Sequence, residues 1–296
     1  MLLKSNRELK QKDFKNEKEL QTYFEANLEK ILGLKFIESE VTVGNFRLDT
    51  LAFDEESNSF MIIEYKNIRN HSLVDQGYTY LKLLLERKAD FTLKYSHFLG
   101  KTVDIKDIDW SQSRIIFVSP VFTSYQLNAA DFKNIPIDLI KVARYDEDIV
   151  EIVKIPKSSN VRVEEIDIAN DNEVNKEIVV YTEDEHLNKL SENLKGVYYE
   201  LKDRVLKLDD IDIDVKKCYI AFKGSKNIID VECKQKKIVV FINMKYKTLI
   251  DPLGLANNLF NIGHHGNGDY CVELTSLDQI DSIMPLIRQS LEKNKK

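Results

Sequence analysis

The sequence predicts an α/β fold in two parts: an N-terminal mixed sheet flanked by helices, followed by a smaller C-terminal α+β domain. Three observations predict it. Through residue 156, segments of helical and strand periodicity alternate in the order helix, hairpin, strand, helix, strand, helix, strand, the pattern of an α/β layer. Residues 157–184 (KSSNVRVEEIDIANDNEVNKEIVVYTED) then turn polar, acidic and weakly periodic, as a linker or an extension of the first domain's edge does. From 185 to 296 come a helix, three strands and a last helix, roughly 110 residues and large enough to fold alone.

The elements follow in order. Asn16, with Glu19 three residues on, is a cap-like start, and Leu20, Tyr23, Phe24, Leu28, Ile31 and Leu32 recur at helical spacing until Gly33. KFIESEVTV passes through Gly44–Asn45 into FRLDTLAFD, a hairpin pattern with alternating residues on the second strand. The turn DEESNS leads to the strand FMIIEYKN. Ser72 and Asp75 resemble a capping box opening one long helix through YTYLKLLLERKADFTL. After a polar stretch with the lone Trp110 come the strand RIIFVSP, a helix around residues 123–133, and the strands IDLIKVARY and DIVEIVKI. In the second part, Thr182 and Glu185 form a capping-box pattern for a helix through HLNKLSENLKGVYYELKDRVLKL. The strands KKCYIAFKG, NIIDVECKQ and KIVVFINMKY follow, and a final helix spans about 276–293.

Composition narrows the function classes. With 43% hydrophobic and 31% charged residues, and 10 Gly and 5 Pro, the chain has the make-up of a globular protein. No apolar run approaches the ~20 residues of a membrane span, and the N-terminus lacks the apolar stretch of a secretory signal. Cys218, Cys233 and Cys271 are odd in number and sit in strand-like segments, as buried reduced thiols do. The expectation is a cytoplasmic protein with no membrane association. A net charge of −6 disfavours a nucleic-acid packaging protein but not a nuclease, whose metal site is itself acidic. The Lys/Arg-rich first 18 residues are expected to be a solvated face.

The chemistry centres on FMIIEYKN. Side chains two apart on a strand share a face, so Glu64 and Lys66 point together and Tyr65 points away. If this strand neighbours the one carrying Asp49, two carboxylates meet, and they repel unless a cation lies between them. Oxygen ligands of this kind suit Mg²⁺ or Mn²⁺, with the Ile63 carbonyl as a further ligand. Lys66 would orient the attacking water or stabilise developing negative charge. The competing reading is a strand-edge salt bridge between Glu64 and Lys66 with Asp49 as a turn residue. Spacing alone does not choose between the two.

The order D-x14-E-x-K after an acidic helix, read from RLDTLAFD and IIEYK, resembles the PD-(D/E)XK nuclease superfamily, with Leu48 where the superfamily's name has Pro. The resemblance covers about residues 14–155 and implies a restriction-endonuclease-like fold. It further implies metal-dependent hydrolysis of DNA phosphodiesters in restriction, repair or defence. It implies catalytic roles for Asp49, Glu64, Lys66 and Gln76 and a helical carboxylate: by similarity to the NucS-type branch this is Glu17, with Glu19 left as the alternative. Gln76 and Tyr80 in DQGYTY match the Q-x-x-x-Y pattern of the RecB-like branch, and at i and i+4 they share a helix face. Arg47 and Asn67 flank the acidic pair and would contact nucleic acid, as would Tyr80. Analogy with endonucleases of this fold suggests a homodimer. NLEKILGL, RLDTLAFD, IIEYK and VDQG also resemble a bacterial group labelled predicted transport proteins, whose second domain the C-terminal region resembles too. The lack of a membrane span argues against that label taken literally.

Other residues carry less. His71 is a loop histidine, and His264–His265 lack a partner at zinc spacing. The strand residues Tyr219, Phe222, Lys223, Lys226, Lys234, Lys236, Lys237, Lys245 and Lys247 would form either a nucleic-acid surface or an exposed basic face over buried aromatics. Two functions remain in play: a Mg²⁺- or Mn²⁺-dependent deoxyribonuclease, or a catalytically silent nucleic-acid-binding or regulatory module on the same fold.

Overall fold

The computed structural model describes residues 3–4, 6–66, 73–131, 135–157, 174 and 177–295, in two compact units, Met1–Val180 and Tyr181–Lys296. Each is built on its own mixed arrangement of helices and sheet.

In the first unit, α1 (Glu17–Leu32) starts where the Asn16 side chain accepts the Glu19 N–H and stops at Gly33, whose φ of 72° is open to glycine. The strands β4 (Lys35–Val43), β5 (Phe46–Asp54) and β6 (Ser59–Tyr65) form an antiparallel meander. β7 (Arg114–Ser119) and β8 (Ile137–Tyr145) then join β6 in parallel. β9 (Val150–Lys154) pairs antiparallel with β8, as does the short β3 (Gln11–Lys12). β6 therefore lies at the point where the sheet changes from antiparallel to parallel. All seven of its residues are buried, as a strand covered on both faces requires.

The two faces bury separate cores. Phe53, Phe60, Ile62, Ile115 and Phe117 meet α2 (Leu73–Glu86) and α3 (Lys88–Leu99), whereas Ala52, Met61, Ile63, Tyr65 and Val118 meet Phe24 and Leu28 of α1. The sequence predicts one helix where the structure has two. The chain leaves helical geometry at Arg87 (φ −114°, ψ 29°). This turn lets Phe91 and Tyr95 of α3 join Phe53, Phe60 and Trp110 in an aromatic cluster, with the Phe53 and Tyr95 rings 3.9 Å apart. Ser72, the expected cap, lies outside the described residues. α4 (Ser124–Ala130) opens on Thr123, paired reciprocally with Gln126. The first 18 residues do more than present charge: Leu9 and Phe14 are buried, β1 (Leu3–Lys4) pairs with β2 (Arg7–Glu8), and Lys12 pairs with Asp146. Most of 157–184 lies outside the described residues, but Val174 and Ile178 are buried in the first unit's core.

In the second unit, α5 (Glu183–Leu187) and α6 (Glu192–Leu206) replace the single expected helix, because Ser191 caps a fresh start by accepting the Leu194 N–H. The sheet runs β10 (Asp212–Val215), β11 (Ile220–Lys223), β12 (Asn227–Lys234), β13 (Lys237–Ile242), β15 (Tyr270–Leu274) and β14 (Asn257–Asn258), all antiparallel. α6 and α7 (Gln279–Asn294) supply Val197, Leu201, Ile283 and Ile287 to its core. Tyr219 and Phe222 are buried, which removes them from any binding face. Among the described residues no helix is long and apolar enough to cross a membrane.

Candidate active site

The site begins where the β5–β6 ladder gives way. Thr50 and Ile63 form the last paired position. One step further, the Asp49 N–H donates to Glu64 Oε1 at 3.1 Å, and the Tyr65 N–H donates to Asp49 Oδ2 at 3.0 Å. Each carboxylate thus accepts an amide of the opposite strand, and the exchange brings the two acids together. Strand alternation places Glu64 on the α2 face with Phe60 and Ile62, and Tyr65 on the α1 face with Met61 and Ile63.

Burial sets the electrostatics. Glu64 is 1% exposed. Burial, reinforced by the Asp49 charge, pushes its carboxyl up to about 7. Asp49 is raised as well, by burial first, with the Glu40 and Glu17 carboxylates adding to the effect. Compensation is partial: Lys66 Nζ lies 3.4 Å from Glu64 Oε2, and the lysine side chain is itself only 14% exposed. A close pair of carboxylates, one buried and one half-buried, beside one ammonium retains excess negative charge when ionised.

α2 closes the site from one side. Gln76 Nε2 donates to Glu64 Oε2 at 2.9 Å and lies 3.1 Å from Tyr80 Oη. The Tyr80 hydroxyl in turn donates to the Arg47 carbonyl at 3.2 Å. Burial raises the Tyr80 phenol, so it serves as a neutral donor. Gln76 and Tyr80 share the helix face that i,i+4 spacing gives them, and the chain Arg47–Tyr80–Gln76–Glu64 runs from β5 back to β6.

α1 closes it from the other side. Glu17, the first helical residue, is exposed and acts on Asp49 electrostatically. Glu19 is engaged elsewhere: it accepts the Lys15 N–H and pairs with Arg144 at 3.1 Å, which together hold its carboxyl below the usual range. One turn on, Gln21 is buried, and its Nε2 lies 2.8 Å from the Asp49 carbonyl, 3.0 Å from Ser39 Oγ and 2.9 Å from Glu25 Oε1. Thr50 donates to the same Glu25 oxygen at 2.6 Å. Sequence reasoning missed this Gln21–Glu25–Thr50 network. Its signal is a polar stripe, Glu17, Gln21 and Glu25, at i, i+4 and i+8 of an otherwise apolar-faced helix.

The remaining candidates are placed as follows. Ile63 faces Thr50 in the ladder, with its side chain in the α1-side core. Arg47 is exposed and pairs with Glu40 at 2.6 Å. Asn67 and His71 lie outside the described residues. His264 and His265 belong to the second unit, with His264 against Phe241. Among the described residues no group of three or more His, Cys, Asp or Glu side chains stands ready to hold a metal. The donor set at the site is the buried Glu64 and half-buried Asp49 carboxylates, with charge to be neutralised. That set fits Mg²⁺ or Mn²⁺, which take hard oxygen ligands, and Mg²⁺ is commonly held by one or two carboxylates with waters completing its shell.

Comparison with known proteins gives three kinds of match. Residues 183–294 match a family model described as "Domain of unknown function (DUF5655)". Parts of the chain resemble solved structures at low similarity. An EndoMS–dsDNA2 complex shares 21% identity over 39% of this chain and 40% of its own, with a TM-score of 0.28. A repair endonuclease from Pyrococcus abyssi shares 21% over 40% and 45%, also at 0.28. Pyrococcus furiosus SfsA in complex with Ca²⁺ shares 17% over 46% and 60%, at 0.23. Each match spans less than two thirds of the other chain. A protein of Haemophilus influenzae described as "Uncharacterized protein" is 44% identical over 289 residues, 96% of both chains. On that near full-length identity, the chain belongs to the same family as the Haemophilus influenzae protein.

Proposed function

We propose that the first unit is a divalent-metal-dependent phosphodiesterase acting on DNA, of the kind used in restriction, repair or defence. The observation that carries this reading is the Asp49–Glu64 pair, half-buried and buried, crossed over two backbone amides and flanked by Lys66 and Gln76. Two carboxylates side by side with one ammonium beside them keep excess negative charge in a poorly solvated place, which a bound cation would offset. The ordered motif pattern adds the substrate class by resemblance.

In this reading Asp49 and Glu64 hold Mg²⁺ or Mn²⁺, with Glu17 and the Ile63 carbonyl as further oxygen ligands. The ion, when bound, polarises the phosphodiester and lowers the pKa of an attached water. Lys66 orients the nucleophile and stabilises negative charge at the phosphate in a poorly solvated setting, where a fixed ammonium acts most strongly. Gln76 fixes the Glu64 carboxylate, and Tyr80 fixes Gln76 from behind. Arg47, Asn67 and Tyr80 contact the nucleic-acid backbone. A homodimer would supply two such sites, one for each strand of a duplex.

The test is cleavage of single-stranded, duplex and branched DNA, and of RNA, with Mg²⁺ or Mn²⁺. Wild type is expected to cut DNA, and Asp49→Ala and Lys66→Ala to lose the activity. Normal cleavage by both variants overturns the assignment of the site, and no cleavage by wild type overturns the reading in favour of a silent binding module. Such a module need show no Mn²⁺ affinity dependent on Asp49 and Glu64.

A further inference from the structure

The second unit presents an aromatic stack that its own core does not use. Between β13 and β15 the chain runs through residues 243–269, and within this connection the rings of Tyr246 and Phe260 stack at 4.7 Å and 14°. They remain 38% and 46% exposed. Lys247 Nζ lies 5.2 Å from the Tyr246 ring centre. Ile262, two residues beyond Phe260, is exposed as well.

This surface is built. The Tyr246 N–H donates to Asp269 Oδ2 at 2.6 Å, the Lys247 N–H to Tyr270 Oη at 2.8 Å, and the Phe260 N–H to Asn258 Oδ1 at 2.9 Å. Farther along, the Asn267 side chain donates at 2.9 Å to Asp230, a fully buried carboxylate. Gly268 has φ +86°, and a Cβ there would sit 2.2 Å from the Ile242 carbonyl oxygen. The aromatic pair is therefore held in place before any partner arrives. Exposed apolar groups fixed in this way mark a binding surface, because the ordering cost is already met.

Charge selects the partner. Lys245 and Lys247 are exposed, whereas Asp251 and Asp269, the carboxylates of the same connection, are half-buried and accept backbone amides. The two lysines and two aspartates of the connection balance formally, and the charge presented most fully to solvent beside the stack is that of Lys245 and Lys247. We propose that it binds single-stranded nucleic acid, a base stacking on the Tyr246–Phe260 pair while Lys245 and Lys247 meet the adjoining phosphates. Aromatic platforms flanked by lysines bind strands in this manner with little sequence preference. A lipid or protein partner would engage the exposed Ile250, Leu253 and Ile262 together with the rings, and the experiment separates that case. The proposal goes beyond the phosphodiesterase reading and does not depend on it.

The experiment is fluorescence anisotropy of a labelled oligothymidine with the full chain in EDTA, which removes cleavage from the measurement. Wild type should bind, more weakly as salt rises. Phe260→Leu should weaken binding roughly tenfold, the order expected for losing one base–aromatic stack, and Phe260→Trp should retain it. Lys245→Gln with Lys247→Gln should weaken binding and flatten its salt dependence. Circular dichroism and thermal unfolding check that each variant is folded. No binding by wild type, or wild-type affinity in both Phe260→Leu and the lysine pair, overturns the proposal. So does sedimentation with anionic vesicles, or a dimer, that Phe260→Leu abolishes while oligonucleotide affinity is unchanged. Loss of DNA cleavage in a separate Mg²⁺ assay bears only on the first unit.

Discussion

Asp49 and Glu64 hold each other through their backbones: the Asp49 amide donates to the Glu64 carboxylate at 3.1 Å, and the amide following Glu64 donates to the Asp49 carboxylate at 3.0 Å. The pairing places two acids together and ties their ionisation to the strand geometry beneath them.

Stability of the metal-free protein should fall as pH rises toward neutrality. Glu64 moves from an ordinary 4.5 to about 7 on folding. A carboxyl raised in this way contributes its stability fully below the unfolded value, and that contribution is lost as pH rises through the folded one. The loss between about pH 4.5 and 7 is on the order of 3 kcal/mol at most, since Asp49 shares the titration. Urea midpoints measured across this range should fall for wild type and change much less for Glu64→Gln. Mn²⁺ should restore stability more at pH 8 than at pH 6, because it requires the ionised acid.

The two helical carboxylates should separate in a direct comparison. Glu17→Gln is expected to weaken Mn²⁺ binding and cleavage, because Glu17 acts on Asp49. Glu19→Gln removes the Arg144 pair and should change thermal unfolding while leaving cleavage near wild type. Isothermal titration with Mn²⁺ beside a cleavage assay reads both.

Gln21→Leu should destabilise the first unit by about 1–3 kcal/mol, since a buried donor to the Asp49 carbonyl disappears. Tyr80→Phe, which removes one hydroxyl donor at 3.2 Å, should cost about 1 kcal/mol. Chemical denaturation of the two variants checks the order.

Gly268→Ala should unfold or strongly destabilise the second unit, because the new Cβ meets a backbone carbonyl and the φ of +86° is strained for alanine. Gly44→Ala also pays the positive-φ strain but meets open space, and should cost only about 1 kcal/mol. Thermal melts of the two variants provide the comparison.

Much of this was legible from local pattern. The hairpin announced itself through Gly44 and the alternation of FRLDTLAFD, and EYK through its period of two. Asn16 and Gly33 marked both ends of α1. What escaped depends on tertiary geometry. The break at Arg87 has no Gly or Pro to signal it and exists because Phe91 and Tyr95 dock beside Phe53 and Phe60. Leu9 and Phe14 lie among lysines, so their burial shows only once the chain packs on the sheet. Gln21 resembles a surface residue until α1 is laid across β5. Tyr219 and Phe222 look like a stacking platform in sequence, but both are buried, Phe222 in the core, whereas Tyr246 and Phe260 are exposed in a loop without periodicity.

The crossed pair at Asp49 and Glu64 also bears on inheritance. Because each acid accepts a backbone amide of the other's strand, losing either one removes that amide's partner where β5 and β6 meet. A relative without the proposed phosphodiester chemistry would still be expected to keep both for the sake of folding. Lys66 and Gln76 lie outside that backbone exchange and meet the pair only through the Glu64 side chain. Their retention among relatives is therefore the more direct test of the proposed phosphodiesterase.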